Sequence, residues 1–349
     1  MIAANPKGPN PLRDWRLDLA DIQTIGVDLQ RPECILAEPD GTLWSADARG
    51  GVMKISADGT QELITQTVDG HFDLDAGQAD SLLYGTLPNG LAFADNGDIL
   101  ISNFGTDLLE VMSRSGETRT LYDSIDGQPM GKVNFVLRDS KNRIWITVST
   151  KINPWSEAIR NDIDDGYIAL VDDKGIRIVA DGLSFTNEIR LDADEQWMYI
   201  AETCGKRVSR MRVQDDGTLT DYEIYGPSDL GKGLIDGLAF DAFGNIWLTM
   251  IFADQLLAIT PEGDALTLFE DGNAEATEKF EREFASGGAV SFDTLAKTGG
   301  QLAPWLASVT FGGPDLKTVY LGSLKGNTIP YFRSPVAGLP MAHWSLPPR

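Results

Sequence analysis

The chain has 349 residues, 42% of them hydrophobic and 23% charged, with 36 glycines. That is enough for one large all-β domain or two ordinary domains. Its 52 acidic residues against 29 basic ones give a net charge of −23, which repels phosphate backbones and anionic lipid and argues against nucleic acid or membrane as partners. Such a surface favours solubility and also attracts divalent cations.

The N-terminal stretch "MIAANPKGPNPLRDWRLDLA" has no continuous apolar core, and no 18-residue apolar run follows it. Neither a signal peptide nor a membrane-spanning helix is expected. These first ~20 residues read as an extended arm or a strand that closes the fold. Two cysteines, Cys34 and Cys204, cannot make a disulfide framework. They read as buried thiols, and a reducing cytoplasm is the simplest location.

A repeat begins at Glu33 with "ECILAEPDGTLWSAD". It recurs as "NGLAFADNGDILISN" from Asn89, "NFVLRDSKNRIWITV" from Asn134, "NEIRLDADEQWMYIAE" from Asn187 and "DGLAFDAFGNIWLT" from Asp236. Each copy opens on a carboxylate or amide, runs through mostly apolar residues, turns on Asp, Gly and Asn, and enters a second apolar segment. Eleven places on stand Trp44, Leu100, Trp145, Met198 and Trp247, large and apolar every time. A sixth copy, "ASVTFGGPDLKTVYLGS" from Ala307, has a longer turn.

Successive starts lie 56, 45, 53, 49 and 71 residues apart, the spacing of propeller blades with loop insertions. Further alternating segments, such as "YIALVDDKGIRIVA" and "QLLAITPEGDALTLFE", supply the outer strands. One stretch, "NAEATEKFEREFAS", suits a helix on a loop. The expected fold is all-β: a single six-bladed propeller over residues 1–349, each blade a four-stranded antiparallel sheet around a central channel.

In a propeller the innermost strands line the channel, so equivalent positions converge. Glu33, Asn89, Asn134, Asn187 and Asp236 would form a ring of oxygen-bearing side chains, interrupted by Ala307. Burying five polar groups together is costly unless they share a partner. Two carboxylates with amide oxygens, and no thiolate or imidazole, suit a hard cation such as Ca²⁺, Mg²⁺ or Mn²⁺. The alternative is that Asn and Asp merely favour strand-start turns.

The segments "RPECILAEPDGTLWSAD", "SFTNEIRLDADEQWMYIAET", "IDGLAFDAFGNIWLT" and "SVTFGGPDLKTVYLGS" resemble the senescence-marker (regucalcin)/gluconolactonase family over roughly Glu33 to Ser323. The resemblance implies a six-bladed propeller that holds one divalent cation and hydrolyses sugar lactones or related esters. It implies Glu33, Asn187 and Asp236 as metal ligands, with Asn134 a ligand or substrate contact. Ca²⁺ is the first choice of ion, with Mg²⁺, Mn²⁺ or Zn²⁺ as alternatives. Lys132 falls where many relatives place a substrate-binding arginine, and Asn89 would line the same pocket. Three positions depart from the family pattern: Phe135 replaces a frequent aspartate, Glu188 a glycine and Cys34 a smaller residue. Phe135 and Trp155 together suggest a substrate less polar than a free sugar acid lactone.

Lactone opening needs a polarised carbonyl, an activated water and a stabilised oxyanion, which a cation and a carboxylate can supply. Asp236 is the candidate base, or the group that orients the water, and Asn134 the second catalytic residue. His71 and His343 lie outside the repeat motifs, and no G-x-S-x-G or phosphate-loop sequence occurs. Two other readings stay open. One is a different reaction at the same metal, such as phosphoester or organophosphate hydrolysis or a biosynthetic isomerisation or hydration. The other is a calcium-stabilised binding propeller without catalysis. The expected partner is a small-molecule substrate, with the chain a monomer or small homo-oligomer.

Overall fold

Each repeat folds into one four-stranded antiparallel sheet, and the six sheets are arranged as a six-bladed β-propeller in a computed structural model that describes residues 8–67, 82 and 85–345. The innermost strands are Ile35–Ala37, Pro88–Phe93, Val133–Arg138, Thr186–Leu191, Leu234–Phe240 and Leu306–Gly312. Each packs against the inner strands on either side, which closes the ring. Neighbouring blades cover both faces of these strands. They are therefore buried almost end to end. The outermost strands, such as Gln61–Thr65 and Thr118–Tyr122, carry polar residues and are largely wet.

A tryptophan–acid pair explains the regular turn after the inner strand. Five residues after the ring position stand Glu38, Asp139 and Asp241. Their carboxylates accept hydrogen bonds from Trp44, Trp145 and Trp247 at 2.6, 2.9 and 2.9 Å. Asp139 and Asp241 also accept backbone N–H groups of their own turns. A buried indole N–H left without an acceptor would cost about 1–3 kcal/mol, so turn and core specify one another.

The sixth sheet is completed across the chain termini. Strand Gln23–Ile25 pairs antiparallel with Ile329–Arg333 and forms its outer edge. The closing strand thus begins just beyond the first ~20 residues. Ahead of it, Leu12 is buried with Trp15 and Leu17 against the fifth and sixth blades. At the other end, Leu339 bonds to Phe240, and His343 lies buried with Nε2 2.9 Å from the Ala37 carbonyl. This tail crosses the channel end remote from the ring positions.

The anticipated helix, α1, spans Ala274–Ala285 and buries Phe280 and Phe284. Its Asn273 cap accepts from the Ala276 N–H, and Phe280 lies 5.1 Å from Phe252. A second helix, α2 (Phe292–Lys297), has six residues, too few for a periodic signal. Among the described residues no helix is long and apolar enough to cross a membrane. Cys34 and Cys204 are free and buried.

Candidate metal centre at the channel mouth

The inner strands deliver the ring residues through β-bulges. In blades two to six the register with the second strand slips between Pro88 and Leu91, Val133 and Phe135, Thr186 and Ile189, Ile235 and Leu238, and Leu306 and Ser308. Those slips bracket Asn89, Asn134, Asn187, Asp236 and Ala307. A bulge re-aims a side chain and frees a backbone N–H from the ladder. Hydroxyls on the second strand take up those N–H groups. Ser102, Thr147 and Thr249 accept from Gly90, Phe135 and Gly237 at 2.9, 3.0 and 2.7 Å. Ser102 and Thr249 then donate to the ring-residue carbonyls of the next blade, Asn134 and Ala307, both at 2.6 Å. In the second and fifth blades one hydroxyl thus links the bulge to the neighbouring blade.

Glu33, Asn89, Asn134, Asn187 and Asp236 line one cavity together with Arg31 and Thr203. Asn89 sits between its neighbours: its amide N–H₂ donates to Glu33 Oε1 at 3.2 Å, the Asn134 carbonyl at 3.1 Å and Asn134 Oδ1 at 3.2 Å. Its own Oδ1 accepts from Arg31 at 2.6 Å. Asn187 donates to Thr203 at 3.2 Å. Burial, reinforced by the charge of Glu188, pushes the Glu33 carboxyl up to about 8, with Arg31 opposing. Burial and the charges of Glu33 and Glu188 hold Asp236 well above the ordinary carboxylate range.

Arg31 escaped the sequence reading, and Glu188 entered it only as a departure from the family pattern, without a place in the site. Arg31 enters because the chain turns left-handed there, at φ +55°, two residues before Glu33. The same turn occurs at Phe185 (+57°) before Asn187 and Trp305 (+59°) before Ala307. No periodicity marks it, so an arginine before Pro32 gave no reason to look inward. Glu188, the departure from the family glycine, is fully buried below the ring, paired with Arg190 at 2.8 Å.

Leu82, Phe104, Trp155, Phe185, Ile251 and Leu324 form an apolar wall above this polar floor. Trp155 is fixed there by donating to the Leu82 carbonyl at 3.0 Å and by an edge contact with Phe104. Two expected substrate contacts lie elsewhere. Phe135 points below the ring into the core: its ring packs where any Cβ on Gly90 would sit 2.8 Å away, and Arg190 lies 4.6 Å from its centroid. The bulge places consecutive residues at different depths, so Phe135 cannot follow Asn134 into the cavity. Lys132 is buried behind Phe104, paired with Asp107 at 3.0 Å. His343 lies at the far end of the channel, and His71 lies outside the described residues.

The chemistry of this donor set fits a hard divalent cation. Glu33 Oε2 and Asn187 Oδ1 are buried acceptors with no hydrogen-bond donor among the described residues. Asp236 adds a second carboxylate in the same cavity. Orphaned buried acceptors beside two mutually repelling carboxylates are what a bound cation would satisfy. Glu33, Asn187 and Asp236 are the residues that would hold it, with Asn134 adjacent.

Comparison with known proteins agrees with this fold. A model of the SMP-30/gluconolactonase/LRE-like region matches residues 31–272. A 6-deoxy-6-sulfogluconolactonase of Pseudomonas putida is 23% identical over 233 residues, 66% of this chain and 66% of that protein. Among solved structures, a gluconolactonase of Xanthomonas campestris superposes with a TM-score of 0.63 at 15% identity, covering 90% of this chain and 89% of that one. The calcium-binding protein regucalcin of Agrobacterium tumefaciens gives 0.60 at 16%, covering 90% and 95%. At these identities the structures speak for the fold alone.

Proposed function

The chain belongs to the SMP-30/gluconolactonase/LRE-like family, and from that premise we propose that it is a metal-dependent hydrolase that opens a lactone ring at the channel mouth. One observation carries the reading: buried acceptors of Glu33 and Asn187, unpartnered among the described residues, converge with Asp236 beneath an apolar-walled cavity. The lactone activities of the Pseudomonas and Xanthomonas relatives support the reaction class, and the calcium of the Agrobacterium relative supports Ca²⁺ as the first choice of ion.

A cation held there supplies Lewis-acid polarisation of a carbonyl oxygen and lowers the pKa of water. The protein's own groups do the rest. Asp236 accepts a hydrogen bond from the attacking water and orients it or takes its proton. Asn134 presents an amide to the substrate from the same floor, its Oδ1 fixed by Asn89. The wall of Phe104, Trp155, Phe185 and Leu324 excludes water from the ester and selects a substrate less polar than a free sugar acid lactone. Phosphoester hydrolysis, or calcium-stabilised binding without turnover, would use the same ring.

The test is a panel of γ- and δ-lactones, from sugar lactones to rings without hydroxyls and each with and without a ring carboxylate, followed by proton release. Turnover of at least one ring type is expected, with preference for rings carrying few hydroxyls. No turnover across the panel, despite tight cation binding, would contradict the reading.

A further inference from the structure

Arg31 is 5% exposed and lies on the cavity floor. Its guanidinium donates to the Pro88 carbonyl at 3.2 Å and to Asn89 Oδ1 at 2.6 Å, while its Nε–H meets no acceptor among the described residues. Two other buried arginines hold a carboxylate in contact, Arg143 with Asp139 at 2.6 Å and Arg190 with Glu188 at 2.8 Å, whereas Arg138, away from the cavity, donates to the Phe93 carbonyl and to Asn142 Oδ1. The chain carries 52 acidic residues, yet among the described ones none forms an ion pair with Arg31. Glu33 and Asp236 act on it only through space.

A buried guanidinium without a contacting anion is costly to maintain. The entry turn does not require it, since the equivalent turns present Phe185 and Trp305. Arginine offers a planar fork that matches a carboxylate, and it stays charged where lysine would shed its proton. With a divalent cation in the ring, two carboxylates face three positive charges, leaving one positive charge for the ligand to balance. A neutral lactone would leave Arg31 desolvated and unpaired.

We propose that Arg31 anchors an anionic group on the ligand, so that the site takes a lactone bearing one carboxylate. This rests on the lactone reading of the same site. The carboxylate lies against the Arg31 fork, and the ester faces Glu33, Asn187 and Asp236. Arg31 is thus a specificity-determining residue of the reaction.

The test uses probes that cannot be hydrolysed, tetrahydrofuran-2-carboxylate and its neutral carboxamide, titrated calorimetrically into the full chain with and without Ca²⁺. The wild-type protein should bind the carboxylate at least tenfold more tightly than the amide. Arg31→Met should abolish that preference without weakening Ca²⁺ binding, and Arg31→Lys should keep part of it. Should the methionine variant fail to fold, Arg31→Gln carries the same expectation, because it can still donate to the Pro88 or Asn89 oxygen. Equal affinity for the two probes in wild type, or a preference that survives Arg31→Met and Arg31→Gln, would overturn the proposal. So would Arg31→Met raising Ca²⁺ affinity while leaving the probe preference intact, since Arg31 would then be only an internal counter-ion. Failure of the lactone panel would sink the assigned reaction while leaving this preference standing. Turnover with no preference would sink the anchor alone.

Discussion

Glu33 and Asp236 come from the first and fifth blades and meet in one buried cavity, close enough that the charge of Glu33 drives the Asp236 carboxyl further above its ordinary range. Two carboxylates so placed resist ionising together. A divalent cation between them removes the conflict, and the consequences are measurable.

Glu33→Gln and Asp236→Asn should each lower divalent-cation affinity at least tenfold, about 1.4 kcal/mol or more, and Asn187→Ala should do the same. Because Glu33 lies near 8 without a cation, cation binding near pH 7 should release protons, and affinity should rise with pH up to about that value. Calorimetry in two buffers of different ionisation enthalpy reads the release directly. Equal heats in both buffers at pH 7 would contradict it. Asn134→Ala should impair turnover with a smaller loss of cation affinity; an equal loss would make it a ligand.

Phe135 and Trp155 should separate cleanly. Phe135 is 1% exposed beneath the ring, so Phe135→Ala should cost about 3–5 kcal/mol in chemical denaturation. Trp155→Ala should instead raise KM for apolar lactones about tenfold, roughly 1.4 kcal/mol, with kcat little changed. A Phe135 variant that alters KM selectively without losing stability would place it in the cavity after all.

Thr249 tests the blade linkage. Its hydroxyl accepts from Gly237 and donates to the Ala307 carbonyl, joining the fifth blade to the sixth. Thr249→Val keeps the shape and leaves both partners bare, which should cost about 1–3 kcal/mol. Thermal unfolding unchanged from wild type would show that water replaces the hydroxyl.

His343 should set an acid limit on stability. Burial holds its imidazole down to about 4 against an ordinary value of 6.5. Between those values the unfolded chain binds a proton that the folded chain does not. Stability is therefore complete above pH 6.5 and is lost as pH falls toward 4, by up to roughly 3 kcal/mol. His343→Gln should flatten the dependence of Tm on pH in that window, and an unchanged slope would count against it.

Most of this architecture was legible because it repeats. Six aligned motifs revealed the blades, and the tryptophan eleven residues beyond the ring position marks a buried site that its turn acid must satisfy. The ring itself was visible because equivalent positions converge. What was not legible depends on backbone geometry without a periodic signature. The left-handed turn at Arg31 carries a cation to the cavity, and the bulge after Val133 sends Phe135 downward. Lys132 matched a family position in sequence, yet Asp107 and the Phe104 carbonyl hold it behind the wall.

The central claim is that cation binding in this ring enables lactone opening, and restoring metal to chelated protein tests it most directly. Turnover of the best lactone would be followed by proton release as Ca²⁺, Mg²⁺, Mn²⁺ or Zn²⁺ is added back to wild type and to Asp236→Asn. The account predicts that chelated wild type is inactive, that at least one cation restores it, and that Asp236→Asn stays inactive at the same concentration. Full turnover by chelated protein, or a cation that raises Tm without any turnover, would contradict it.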